Sequence, residues 1–577
     1  MKNFPKHLLV FCISMANMHL SLGQDTIRQM DKSRFEAEFS DDPYLPNAFN
    51  NKKTTPAYRY HSPVSPVGRI RFGTNATIVS TVQVNVDANG NNIVGDAANE
   101  PNITINPLNN AQIAIGWRQF DNVASNFRQA GLAYSSDSGN TWTFPGCVDA
   151  GIFHSDPVLD FDSAGTFYYN ALFSDSNGFS CKVFKSQDAG MSWDTGTDAH
   201  GGDKQWMAID RTNGVGSGNI YSFWSSNNSA CPPAFFTRST TGGSSYENCL
   251  IPPGDSHYGT MAVGINGEIY FAGTDFISGI VVNKSLNANT PGSLISWENE
   301  AILFMYGDLG YGPLVNPNGL LGQANIDVDR SNGLGSGNVY VLASIRLYNN
   351  VDPGDIMFSK SIDGGYNWTA GQRINDDVSQ ANTQWFGTMS VAPNGRIDAI
   401  WLDTRDGQAF SDSSALYYSY SLDEGFSWTA NERISDLFDP HLGYPNQNKM
   451  GDYFDMISDN IGVHLAWANT FNGEQDVYYS RIIPQISIGM DEEIGNRNIS
   501  IYPNPSSGIF NVSLHGLGYT FSEMYFEIYN MMGELIFSEA TRQSNFSFDL
   551  SKASAGIYMM KIFDSDGNWQ VRIFSKN

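Results

Sequence analysis

Ser135-Ser-Asp137-Ser-Gly139-Asn-Thr-Trp142 decides the fold, because the chain repeats it. The pattern Ser-x-Asp-x-Gly-x-x-Trp returns as Ser186-Gln-Asp188-Ala-Gly190-Met-Ser-Trp193 and as Ser361-Ile-Asp363-Gly-Gly365-Tyr-Asn-Trp368. It comes again as Ser421-Leu-Asp423-Glu-Gly425-Phe-Ser-Trp428, with a degenerate copy at Ser239-Thr-Thr241-Gly-Gly243-Ser-Ser-Tyr246. The chemistry is that of a hairpin turn. Asp accepts hydrogen bonds from turn amides, Gly takes the positive-φ position, and Trp folds back on the sheet.

Outward from each box lies a second repeat: a short strand, a turn and a more apolar strand. Pro101–Asn106 with Ala111–Trp117 and Phe386–Ala392 with Arg396–Trp401 are two examples. Seven such units begin near 100, 155, 203, 257, 322, 384 and 451. This spacing suits one four-stranded sheet per unit. The last unit lacks a box and a fourth strand. The alternating stretch Ile78–Val86, ahead of the first unit, is placed to supply that strand and close a ring.

Composition agrees. Hydrophobic residues are 41% and charged residues only 16%, so a large core is within reach. With 33 Lys+Arg against 59 Asp+Glu, the net charge of −26 argues against nucleic acid as a partner. Lys2, Lys6 and His7, then the apolar Leu8–Ala16, then Ser21 and Gly23 read as an export signal over 1–23. No run is long enough to span a bilayer as a helix. Beyond the signal, Cys147, Cys181, Cys231 and Cys249 permit two disulfides. Placing each on its strand predicts Cys231–Cys249 and Cys147–Cys181, both at strand ends on one rim.

The boxes resemble the Asp-box (BNR) repeats of sialidases and other β-propellers. The resemblance implies an all-β fold, an Asp-box β-propeller over 78–489. Seven blades are preferred and six are the alternative, since sialidase propellers have six. Residues 24–77 form a polar leader segment. From about Asn498 the texture changes: Ile501-Tyr-Pro-Asn-Pro505-Ser-Ser-Gly508, then strands, then Ala555-Gly-Ile-Tyr558-Met-Met-Lys561. Residues 498–577 resemble the type A sorting domain of the type IX secretion system in Bacteroidetes. That implies a small Ig-like β-sandwich, handling by the type IX machinery, and a secreted or outer-membrane surface location.

In a propeller the boxes sit on the bottom rim and function sits at the opposite mouth, where strand entrances converge. Glu100, Asp156, Asp203, Lys204, His257, Gln323, Gln384 and Asp452 enter there, with Arg118, Arg346 and Arg405 at neighbouring corners. The sialidase resemblance implies an arginine triad clamping a carboxylate, a tyrosine nucleophile and an acid. Arg118, Arg346 and Arg405 are the candidate clamp, Asp156 or Asp203 the acid, and Tyr348 or Tyr453 the nucleophile. The sialidase Phe/Tyr-Arg-Ile-Pro motif is missing: Gly68-Arg69-Ile70-Arg71-Phe72 lacks the proline and precedes the ring. Two functions stay open. One is hydrolysis of glycosidic bonds in extracellular anionic glycans. The other is a non-catalytic surface propeller binding glycan or protein, such as a glycoprotein. No cofactor is expected. The twin loops Asp210–Asn219 and Asp329–Asn338 are compatible with calcium, but read first as long hairpin turns.

Overall fold

A computed structural model describes residues 70–71, 77–175, 178–275, 279–348, 352–407, 412–485, 498–515, 524–530, 535–564 and 569–577. The export signal read at 1–23 lies outside these, as does the leader except for 70–71 and 77. The chain divides into two compact units, Met1–Pro484 and Gln485–Asn577. No described helix is long and apolar enough to cross a membrane.

The larger unit is a β-propeller of seven antiparallel sheets among the described residues. Their innermost strands are Ala97–Ile105, His154–Phe161, Trp206–Ile209, Met261–Val263, Asn325–Val328, Gln384–Val391 and Asp455–Ser458. Each neighbours the next around a ring, and the seventh neighbours the first. Side chains stitch the ring. Asn102 accepts from the Leu159 amide (2.7 Å), Asp160 from Ile209 (2.8 Å) and Thr260 from Ile326 (2.9 Å). Asp327 accepts from Val391 (2.8 Å), Ser390 from Ser458 (3.0 Å) and Asp455 from Ile103 (3.1 Å). Ile78–Gln83 pairs antiparallel with Asp476–Ile483, so the start of the ring becomes the outer strand of its last sheet.

Because side chains alternate across a strand, each sheet presents an apolar face to both neighbours. Ala114, Leu132, Tyr169 and Phe184 fill one seam, Tyr340, Phe358 and Trp401 another, and Val84, Trp117 and Tyr479 the closing one. The boxes are turn staples. Ser135 Oγ donates to Asp137 (2.8 Å), Asp137 accepts from the Thr141 amide (2.9 Å), and Trp142 Nε1 donates to the Gly139 carbonyl (3.2 Å). The boxes also clasp neighbouring sheets: Lys284 lies over the Tyr366 ring and Lys360 over Phe426. Ser285, bonded to Asn287, begins a further degenerate box that the sequence pattern did not reveal.

Cys231 and Cys249 form a disulfide with Cα atoms 6.5 Å apart. Cys147 and Cys181 do not pair, which corrects the second expected bridge. Their rim placement was not sufficient, because they lie on opposite faces of the second sheet. Cys181 packs with Val183, Ala199 and Trp224 toward the third sheet. Cys147 lies near Tyr169, whose hydroxyl donates to Gly131 of the first sheet.

The smaller unit has two antiparallel sheets, Asn498–Tyr502/Ile509–His515/Asn545–Asp549 and Leu535–Thr541/Met524–Asn530/Gly556–Asp564/Trp569–Lys576. One core, with Phe510, Phe526, Phe548, Met560 and Phe574, joins them.

Candidate functional site

Where the innermost strand enters the ring, the backbone turns left-handed in five of the seven sheets. Glu100 (φ 50°), Asp156 (47°), Lys204 (55°), Tyr258 (57°) and Phe386 (53°) occupy the same position in five sheets. In three of these sheets the pairing register slips there, as between Asn99 and Asn102. Matching the registers Asn102↔Gly116, Thr388↔Ile400, Asn325↔Leu342 and Asp455↔Ala466 puts Gln323 and Tyr453 at this position in the fifth and seventh sheets. Non-glycine residues in this region cost roughly 1–3 kcal/mol each, and such strain concentrates at functional sites.

The seven side chains divide into two halves. Tyr258, Gln323 and Phe386 make an uncharged side. On the other, Lys204 Nζ lies 3.2 Å from Asp156, 3.5 Å from Asp203 and 3.0 Å from Asp452. Lys449 adds a 2.8 Å contact to Asp452, and Arg118 Nε lies 3.1 Å from Glu100 and 2.9 Å from Asn99. All these charged groups are buried. Burial, helped by Asp156 and Asp452, lifts the Glu100 carboxyl well above its usual range despite Arg118. Burial pushes Asp156 and Asp452 the same way. For both, Lys204 leads the cations that outweigh it and hold them well below the usual carboxylate range. Glu100 and Asp452 influence one another directly, a neutral acid near an ionised one.

Buried polar atoms without a partner among the described residues gather here. They include Glu100 Oε1, Arg118 Nη2, Gln205 Oε1 and both amide atoms of Gln323 and of Gln447. Two segments cover the centre. Asn316 donates to the Gly451 carbonyl (2.8 Å), Asn318 to Gln447 (2.9 Å), and the Leu320 amide to Asp452 (2.8 Å). Gly451 (φ 91°) needs to be glycine, since a Cβ there would sit 2.5 Å from Glu100 Cγ.

The structure thus brings Arg118, Asp156, Asp203 and Tyr453 into one place, but not the other candidates. Arg405 is held by Asp403 (2.8 Å) and Asn431 (3.1 Å) and stacks over Tyr417. Arg346 faces Asp308 at 3.6 Å. Each of the three guanidiniums has its own carboxylate: Arg118 pairs with Glu100, Arg346 with Asp308 and Arg405 with Asp403. Tyr453 donates to the Pro157 carbonyl (2.8 Å), and burial, followed by Glu100 and Asp156, raises its phenol well above the usual value against the pull of Lys204 and Arg118. Tyr348 is 59% exposed on the fifth sheet. The sequence places Glu100 at a strand entrance but gives it no chemical role, and Lys449 is not singled out. The parallel Asn99-Glu100-Pro101 and Ser155-Asp156-Pro157, each with proline after an acid, are the signal that could have found Glu100.

The twin loops close as hairpin turns: Asp210 accepts from the Thr212 amide and Asp329 from Ser331, both at 2.8 Å. No cluster of three or more His, Cys, Asp or Glu suited to a metal ion occurs among the described residues.

Residues 500–576 match the secretion system C-terminal sorting domain family. The chain therefore carries a sorting domain that marks it for export to the cell surface or beyond. No curated protein matches the chain. Among solved structures, a protein of unknown function from Dyadobacter fermentans is 14% identical with a TM-score of 0.39, covering 70% of this chain and 99% of its own. A PL25 ulvan lyase is 10% identical (TM-score 0.38; 68% and 95% covered). Trypanosoma rangeli sialidase is 9% identical (TM-score 0.34; 86% and 87% covered).

Proposed function

We propose that the propeller acts on extracellular glycans, with Glu100 as proton donor to a glycosidic oxygen and Asp452 or Asp156 as the charged partner carboxylate. One observation carries this reading: a carboxyl kept neutral beside carboxylates kept ionised, which is how acid and base roles are separated at one pH. The unpartnered amides of Gln323 and Gln447 offer hydrogen bonds to sugar hydroxyls. The segments around Asn316–Leu320 and Gln447–Gly451 must part for a sugar to reach Glu100, making them the gate.

The test is incubation of the full chain with a panel of neutral and anionic glycans, with released sugars followed by mass spectrometry. Release by the parent that falls at least 100-fold in folded Glu100→Gln supports the reading. Equal release by Glu100→Gln refutes it. No release from any glycan favours the second reading, a non-catalytic binding propeller. The complete internal pairing of Arg405 is the observation on that side.

A further inference from the structure

We infer that the fifth sheet carries a second, open binding site for an uncharged sugar chain, independent of the buried centre. A cavity of about 400 Å³ is lined by Tyr306, Leu347, Asp355, Met357 and Arg373. Tyr306 is 46% exposed and held in the left-handed region (φ 62°), so the chain bears backbone strain at the residue that edges the cavity. The Phe304 ring meets it edge-on at 4.6 Å and is itself 62% exposed. The Tyr348 amide donates to the Tyr306 carbonyl (3.1 Å), which ties a third exposed aromatic residue to the same edge. Three aromatic residues, 62%, 46% and 59% exposed, stand on one short stretch of surface. They are available to the apolar face of a pyranose or furanose ring.

The polar edge is fixed. Arg373 Nε pairs with Asp355 and its Nη2 with Asp377 (3.0 Å). Asn375 donates to both carboxylates at 2.8 Å. Donors and acceptors are thereby locked beside an apolar floor of Leu347 and Met357, the mixture that orients a polyhydroxylated ligand. The charge argues for a neutral one. Arg373 already lies between two carboxylates and Arg346 faces Asp308, so both arginines near the cavity are already matched by carboxylates, which disfavours a uronate, sulfate or sialate. The net charge of −26 adds repulsion toward polyanions. Tyr348, a candidate for chemistry by sequence, stands at the edge of this surface through its amide bond to Tyr306.

The experiment is affinity electrophoresis of the full-length protein through gels containing arabinan, galactomannan, mixed-linkage glucan, polygalacturonate or gelatin. The inference expects retardation by at least one neutral polysaccharide. Tyr306→Gly, which suits the left-handed backbone, should weaken it at least tenfold, and so should Tyr348→Ala, whose side chain is too exposed to affect folding. Tyr366→Ala, which removes a similarly exposed tyrosine from the box turn of the same sheet, should leave retardation unchanged, which separates this site from exposed aromatic side chains elsewhere. Retardation only by polygalacturonate or gelatin, by none of the gels, or undiminished in folded Tyr306→Gly and Tyr348→Ala overturns it.

Discussion

Lys204→Met is the sharpest probe of the buried centre. The ammonium contacts Asp156, Asp203 and Asp452 within 3.5 Å, and all four groups are buried. With Glu100 neutral, the formal charges of Arg118, Lys204 and Lys449 cancel those of the three aspartates. Methionine keeps the length and the straight stem but removes one positive charge. The protein must then carry an uncompensated buried carboxylate, at about 3–5 kcal/mol, or protonate one. Protonation costs about 1.4 kcal/mol for every pH unit above the free value near 3.9, which is about 4 kcal/mol at pH 7. The two routes agree. The sign follows from linkage: in the parent the Asp156 and Asp452 values are depressed, so their stability is present above the unfolded value and lost as pH falls through the folded one. In the variant one aspartate value is raised, so its penalty shrinks as the unfolded chain also takes up protons. Urea unfolding of both proteins should show a loss of about 4 kcal/mol at pH 7, shrinking to about 1.5 kcal/mol at pH 5. A loss below 1 kcal/mol at pH 7, or one that does not change with pH, would refute the ionic hub.

Two further outcomes follow from the fold. The disulfide closes a loop with a sequence separation of 18, so Cys231→Ser with Cys249→Ser should cost roughly 3 kcal/mol; a reductant should lower the parent's Tm and leave the double variant's unmoved. At the ring's closing seam, burial followed by Asp96 lifts the Asp476 carboxyl to about 8, and burial lifts Asp96 to about 7. Both stay protonated in the fold while the unfolded chain ionises, so their stabilisation falls between about pH 4 and pH 8. Asp476→Asn should therefore gain Tm relative to the parent as pH rises through that window, and a constant offset would show that the carboxyl does not titrate there.

The propeller was legible because its signals are local and repeated. A box needs only four residues in one turn, and each copy reports the same hairpin. Four good copies outweigh the degenerate ones at Ser239 and Ser285, where Thr241 and Asn287 replace Asp. The sorting domain was legible for a similar reason, from a Pro-rich opening and a Gly-Ile-Tyr close in fixed order. Strand-end position found Cys231–Cys249. It failed for Cys147 and Cys181, because facing is set by alternation within a strand and a one-residue difference reverses it.

The site was legible only in outline, for a related physical reason. Sequence places a residue at a strand entrance, but whether its side chain turns inward depends on the left-handed kink that Glu100, Asp156 and Lys204 share. That kink has no glycine to announce it, since these residues adopt it under the constraint of the closed ring. Arg118 was found because it follows the buried Trp117 at a corner that faces the kink of its own sheet. Arg405 stands differently: it comes four residues after Trp401, beyond the end of Ile397–Asp403, and Leu402 holds the place that Arg118 holds in the first sheet. The entrance residue of each sheet adds to that difference in position. The first sheet brings in Glu100, whose carboxyl engages Arg118 at the channel. The sixth brings in Phe386, which has no charge to hold an arginine inward and packs on Phe454, so Arg405 turns to Asp403 and its neighbours. A triad of arginines at one mouth would require an acid at three entrances that also face three corner arginines. This chain places Tyr258, Gln323 and Phe386 where such acids would stand, so its charge collects on one side of the ring and any ligand of the centre must be held between a charged wall and an uncharged one.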